Sequence, residues 1–244
     1  MKKSAYLAEY NGGLAWGPLI QGTLVRRYKR FLAQVKLKNN RLITALCPNT
    51  GSMLSCSEPG RPVYLSRHNV PTRKLKYTWE MIEMPDSLVG VNTLVPNKLV
   101  RAGVLTLRIP ELAGYDLVRT EVRTSQHTRL DLVLTGSGGK ICFVEIKNCT
   151  LVAKAEAFFP DAVTSRGKKH LEELTRLVSQ GARSVIFFLI QRLDAGILRP
   201  ADHIDPEYGL ALRAAVRAGV EPLAYDVVLD QETINLNRAV PVKL

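Results

Sequence analysis

A chain of 244 residues, 46% hydrophobic and 23% charged, has the composition of a folded globular protein with one large domain or two ordinary ones. No apolar run approaches the roughly 20 residues that span a bilayer, and Met1-Lys-Lys-Ser-Ala-Tyr-Leu-Ala-Glu9 lacks the apolar centre of a signal peptide; a membrane partner is excluded and a cytoplasmic location expected. The net charge of +12 is concentrated: residues 1–90 hold 14 basic against 5 acidic side chains, so a polyanion, nucleic acid first of all, is the expected partner of the first third.

In chain order, short β-rich runs come first: Leu19 to Val25, Phe31 to Lys38, and Arg41 to Leu46 after the turn pair Asn39-Asn40. Pro48 to Ser52 interrupts the pattern, a short helical insert is expected at Met53 and Leu54, and two more strands follow at Val63 to Ser66 and Tyr77 to Met84. Three strands, an insert and two strands suit an OB-like β-barrel over residues 1–88, with an SH3-like barrel as the alternative. Two clusters in it pair cations with rings: Arg26, Arg27, Lys29 and Arg30 around Tyr28 and Phe31, and Arg73, Lys74 and Lys76 beside Tyr77 and Trp79. The cations suit phosphates and the ring faces suit unpaired bases, although Phe31 and Trp79 are read first as core.

Residues 89–244 read as a mixed α/β domain. A helix is expected from Val89, stopped by Gly103, with Asn92 and Asn97 as capping or turn residues. Strands follow at Asp116 to Arg123, Leu130 to Leu134 and Ile141 to Ile146, then a helix from Arg166 to Ser179 with Leu171, Leu174 and Val178 as its buried stripe. Val185 to Ile190 is wholly apolar, as a strand covered on both faces must be. A helix from Pro206 to Ala218, stopped by Gly219, and a strand from Glu221 to Val228 complete the unit. The four cysteines, Cys47, Cys56, Cys142 and Cys149, have no C-x-x-C spacing and read as buried thiols, not a zinc site or disulfide framework.

Chemistry centres on Arg129 to Lys147. A three-residue loop at Ser137 to Gly139 places Asp131 opposite Glu145 and Arg129 opposite Lys147, since residues two apart share a face of a strand. Two facing carboxylates repel unless a cation lies between them. Asp131, Glu145 and the carbonyl of Ile146 are therefore candidate ligands of Mg²⁺ or Mn²⁺, Lys147 a candidate to position water or offset phosphate charge, and Arg129 a phosphate clamp. The competing explanation is a cross-strand ion-pair ladder on a solvated face. Downstream, Thr164 or Ser165 can cap a helix whose first turns carry Arg166, Lys168, Lys169 and His170, a combination that suits phosphate; for His170 alone an ordinary capped amphipathic helix explains as much. His68, His127 and His203 show no ligand spacing.

The acid two residues before a lysine on the middle strand of an α-β-β-β-α unit resembles the PD-(D/E)xK nuclease core, with Asp131 and Glu145-Ile146-Lys147 on its motif. Arg27-Tyr-Lys-Arg-Phe-Leu-Ala33, Cys47-Pro-Asn-Thr-Gly-Ser-Met53, Tyr77-Thr-Trp-Glu80, Val91-Asn-Thr93, Val144-Glu-Ile-Lys-Asn148 and Phe159-Pro-Asp-Ala-Val-Thr-Ser-Arg-Gly-Lys-Lys-His-Leu171 resemble the sugar fermentation stimulation protein A family over nearly the whole length. That resemblance implies an OB-like domain followed by a nuclease-like domain, DNA binding, and an association with regulation of sugar, especially maltose, metabolism. The nuclease superfamily's glutamate on the first core helix has no counterpart between Pro96 and Gly103, and Glu111 and Glu121 are poor substitutes by position. The expected function is a DNA-binding protein with a divalent-metal phosphodiesterase site; the alternative is a regulator that uses a nuclease-like fold only as a binding surface. Strand preference and homo-oligomerisation are left open.

Overall fold

The computed structural model describes residues 7–126 and 128–244, so most of the amino-terminal stretch read for a leader, and His127, lie outside the described residues. The chain opens with a hairpin of β1 (Leu7–Tyr10) and β2 (Gly13–Trp16). Next come β3 (Leu19–Tyr28), β4 (Leu32–Leu37), β5 (Leu42–Leu46), β6 (Pro62–Arg67), β7 (Tyr77–Glu83) and β8 (Leu88–Gly90). These six form one sheet in the order β5-β4-β3-β6-β7-β8, and a parallel pairing of β5 with β7 through Ala45–Tyr77 and Leu46–Thr78 closes its first five strands. Closure of five strands in this order is the OB arrangement. Alternation, with its phase shifted in β7 by a bulge between Trp79 and Met81, explains it: Leu24, Val35, Ala45, Val63, Leu65, Trp79 and Ile82 all pack in the buried interior.

Three local expectations differ. Met53 and Leu54 form no helix; Met53, in the left-handed region at φ 55°, turns its side chain into the barrel with Cys47 and Cys56, while Leu54 faces solvent. Trp79 is core, but Phe31 sits at the β3–β4 turn and is 49% exposed. Val89 and Val91 belong to the barrel, and the first helix, α1 (Val95–Leu105), starts later, at Val95 with Pro96 in its first turn, and runs past Gly103, whose missing Cβ leaves room for Leu236.

The second unit follows as β9 (Leu117–Arg123), β10 (Arg129–Thr135), β11 (Ile141–Cys149), β12 (Leu151–Ala153), β13 (Glu156–Phe159), α2 (Ser165–Ser179), β14 (Arg183–Ile190), β15 (Ile197–Pro200), α3 (Pro206–Arg217), β16 (Glu221–Leu229) and β17 (Thr233–Ala239). Its main sheet runs β1-β2-β17-β16-β14-β11-β10-β9, with β11, β14 and β16 parallel. Residues 7–16, which the reading placed with the barrel, therefore hydrogen-bond into this sheet. β14 is covered on both faces: Val185, Phe187 and Leu189 pack with α1, and Ile186, Phe188 and Ile190 pack with α2 and α3. Strands β12, β13 and β15 make a small separate sheet. The buried stripe of α2 is Leu171, Leu174 and Leu177, one residue off the expected Val178. Asp205 caps α3 by accepting from the Tyr208 amide at 3.0 Å, and Gly219 at φ 103° ends it.

The two units are pinned together by polar groups. Arg192, 4% exposed, donates to the carbonyls of Ser55 (3.3 Å) and Thr150 (3.0 Å) and is held in a fork by Asp194. Thr93 donates to the Pro48 carbonyl at 2.6 Å, and the Met53 amide donates to Asp161 at 3.1 Å.

Candidate metal centre and nucleic-acid interface

The hairpin between β10 and β11 turns at Ser137–Gly139, where Gly138 (φ 70°) and Gly139 (φ 78°) take the left-handed backbone a side chain resists. The resulting register, Leu132 with Val144 through Thr135 with Ile141, ends one step short of Asp131 and Glu145. Beyond Leu132 the ladder opens: Asp131 Oδ2 itself accepts the Ile146 amide at 2.7 Å, and its Oδ1 accepts from Asn97 Nδ2 of α1 at 2.7 Å. Arg129 does not lie opposite Lys147. The ladder to β11 has ended there, and Arg129 instead pairs with Arg123 of β9 and meets Glu121 at 3.5 Å.

Asp131, Glu145, Ile146 and Lys147 line one cleft of about 360 Å³ with Asn97, Arg166 and His170. Glu145, 3% exposed, uses one oxygen twice: Oε1 accepts from Lys147 Nζ at 2.6 Å and from His170 Nδ1. The other, Oε2, is buried with no hydrogen-bond partner among the described residues. Arg166 Nε donates to His170 Nε2 at 3.3 Å, which assigns the imidazole proton to Nδ1 and makes an ordered relay from Arg166 through His170 to Glu145. The ion-pair ladder is thus replaced by a buried cluster, and His170 is part of it.

The two acids are driven apart. Burial pushes Glu145 up, but the charge of Lys147 and the hydrogen bonds from His170 and Lys147 outweigh it and hold the carboxyl below its ordinary value. Burial, then the negative charge of Glu145, pushes Asp131 up to about 6 against the bonds from Ile146 and Asn97. Two enclosed carboxylates that raise each other's cost, one with an unpartnered oxygen, fit a hard divalent cation. No group of three His, Cys, Asp or Glu side chains converges among the described residues, so two carboxylates would have to be completed by neutral oxygens, as Mg²⁺ accepts. Ile146 suits that role, because its amide points toward β10 and in an extended strand the carbonyl of the same residue leaves on the same side.

The candidate nucleic-acid residues divide. Arg166, Arg129 and Lys169 line a neighbouring cleft of about 480 Å³ together with Arg123, and Arg30 lines another at the barrel's tip. Lys29 and Lys74 are exposed, and Arg26 lies over the Tyr28 ring at 5.2 Å while bonding Gln34. Arg27, however, spends its guanidinium on the carbonyls of Arg30, Ser52, Asn49 and Gly51 at 2.7–3.0 Å, and so fixes the loop that faces Asp161. Arg73 holds the Leu75 carbonyl and Thr78, Lys76 holds the carbonyls of Val70 and Pro71, and Lys168 pairs with Glu207 at 2.9 Å. Asn97, Asn148 and Thr93 are cleft residues that sequence reasoning treated as caps or left aside. A helix start fixed by Pro96 in its first turn would have put Asn97 in that turn, facing the hairpin.

Comparison with known proteins accords with both units. The SfsA N-terminal OB domain matches residues 25–91 and the sugar fermentation stimulation protein RE domain matches residues 94–233. The chain belongs to the sugar fermentation stimulation protein family. Homologues named for that family from Geobacter sulfurreducens and Pelobacter propionicus are 51% and 52% identical, covering 92% and 93% of this chain and 96% and 98% of their own. The structure of Pyrococcus furiosus SfsA in complex with Ca²⁺ superposes with a TM-score of 0.87 at 27% identity, over 94% of this chain and 98% of that one. Family membership thus accounts for an OB domain followed by an α/β domain.

Proposed function

We propose that this protein binds DNA and hydrolyses phosphodiester bonds at a divalent-metal site built on Asp131, Glu145 and the Ile146 carbonyl. The observation that carries the reading is Glu145: one oxygen fixed by Lys147 and His170, the other buried and unpartnered beside a second acid. The Pyrococcus furiosus relative is in complex with Ca²⁺, which supports a divalent-cation site in this family member; Ca²⁺ and Mg²⁺ both take oxygen ligands, and Mg²⁺ or Mn²⁺ is the working ion of this reading. When bound, such an ion offsets charge on the phosphoryl oxygens and lowers the pKa of water.

The chain's own groups supply the remainder. Lys147 keeps Glu145 ionised and sets a positive charge where a phosphate would gather negative charge, worth on the order of a few kcal/mol in a water-poor site. His170, oriented by Arg166, fixes the Glu145 carboxylate in one rotamer, and Asn97 does the same for Asp131. Arg166 and Arg129 lie where a flanking phosphate would be clamped. The association of the family with sugar metabolism would then follow from which DNA is bound.

Single- and double-stranded DNA and RNA incubated with Mg²⁺ or Mn²⁺ provide the test. The wild type should cut, and Asp131→Ala, Glu145→Ala and Lys147→Ala should each lose about 100-fold or more in rate. A wild type that binds DNA but never cuts it, with the three variants binding equally, would leave a non-catalytic DNA-binding regulator and defeat the hydrolytic reading.

A further inference from the structure

Three clefts of the molecule join end to end. The first, about 400 Å³, is walled by the barrel loop Asn49–Gly51 on one side and residues 159–164 on the other, with Arg30 at its outer end. It shares Thr93 and Asn148 with the carboxylate cleft, and the carboxylate cleft in turn shares Arg166 and His170 with the third, which ends on Arg123, Arg129 and Lys169 at the sheet's β9 edge. The result is one groove, crossing both units, with cations at each end and Asp131 and Glu145 in its middle.

We propose that this groove holds a single unpaired strand of a polynucleotide, running from Phe31 and Arg30 past the carboxylates to Arg123 and Lys169. The inference rests on the phosphodiester reading above for its central phosphate and adds to it the path and the strandedness. Three observations carry it. Glu145 is 3% exposed, so a phosphate reaching it has to descend between protein walls; a duplex is a stiff rod, whereas a single strand turns each phosphate independently. Phe31, the residue after Arg30 in the β3–β4 turn, is an aromatic side chain left 49% exposed beside the cleft-lining Arg30, and an unpaired base can stack on such a ring where a paired one cannot. At the junction of the first two clefts, Asn148 Oδ1 is taken by Gln191 Nε2 at 2.5 Å, so what Asn148 offers the groove is its amide donor, suited to a phosphate oxygen.

The test is fluorescence anisotropy of the full-length protein in Ca²⁺ with labelled oligothymidylates and oligouridylates of 3 to 15 nucleotides and a 15-base-pair duplex, each sample then run on a denaturing gel to show that the probe is intact. One pair of substitutions removes the tip (Arg30→Asn with Phe31→Ser, asparagine being tolerated at the φ of 61° that Arg30 adopts), and the other removes the far end (Arg123→Ala with Lys169→Ala). The affinity for single strands should rise with length and level off at about six nucleotides or more, and exceed that for the duplex about tenfold. Each pair should weaken the 15-mer about tenfold and the two together about a hundredfold, since distant sites add. DNA and RNA arms show which sugar is preferred. A duplex bound as tightly as the single strand, or either pair silent in protein whose circular dichroism is unchanged, overturns the groove. Binding of no nucleic acid at all overturns the phosphodiester reading together with it, whereas tight single-strand binding without cleavage removes only the hydrolytic claim.

Discussion

Glu80 shows how much a single buried residue can be asked to do in a barrel wall. It is fully buried, with Ser66 donating to one oxygen at 2.5 Å and Asn92 Nδ2 to the other at 2.6 Å. Those bonds do not offset enclosure: burial pushes its carboxyl up, with Ser66, Asn92 and the charges of Arg73 and Lys98 opposing. A raised folded-state pKa means that the native state holds the proton over a pH range in which the unfolded chain has released it. Stability therefore falls as pH rises from the ordinary glutamate range through the raised value. Glu80→Gln retains an acceptor for Asn92 and can donate to the Ser66 hydroxyl, so it should remove that slope. Urea denaturation at a series of pH values should show wild type losing stability relative to the variant as pH increases; parallel curves would mean that Glu80 ionises in the fold at no cost.

At the level of elements, α1 matters because it delivers Asn97 to Asp131. Removing that hydrogen bond leaves the fold intact but frees the carboxylate to rotate, so Asn97→Ala should weaken Mn²⁺ binding by about 10- to 100-fold, as loss of a group that orients a ligand does. Calorimetric titration of the folded variant reads this directly, and an unchanged affinity would show that the Ile146 amide alone fixes Asp131. This interaction also marks where the sequence stops being legible. The hairpin, its three-residue turn and the doubly covered β14 could be read because each is a local pattern: paired glycines between alternating runs, or an unbroken apolar strand. The start of α1 could not, because the apolar residues Val89, Val91, Leu94 and Val95 carry no local sign that the first two are consumed by the barrel. That shift hid Asn97, and a view of Arg27 as a phosphate ligand failed to foresee that four carbonyls surround it. Likewise the pairing of β2 with β17 joins segments more than 200 residues apart, which no local period encodes.

For the molecule as a whole, the groove exists only while the barrel and the α/β unit keep one relative pose, since its walls come from both. Arg192 is the tie that fixes this pose: its side chain is 5% exposed, bonded across the seam to Ser55 and within its own unit to the Thr150 carbonyl, which Ser55 Oγ also reaches at 3.0 Å, and forked on Asp194, itself 15% exposed. Truncating it leaves an acid largely enclosed without its partner and two carbonyls short of a donor, a loss of about 3 kcal/mol. For a chain of this length each kcal/mol is worth about 2–4 °C, so Arg192→Met should lower the melting temperature by roughly 6–12 °C. Because much of that cost is the orphaned charge, the double replacement Arg192→Met with Asp194→Leu should recover part of it. It should not recover the fixed pose, so single-strand affinity should remain reduced in the double variant even where stability returns. Differential scanning calorimetry and anisotropy on the same preparations separate the two effects. An Arg192→Met protein that melts with the wild type would show that the apolar contacts of Tyr64 and Met81 with the second core, not this arginine, hold the two units together.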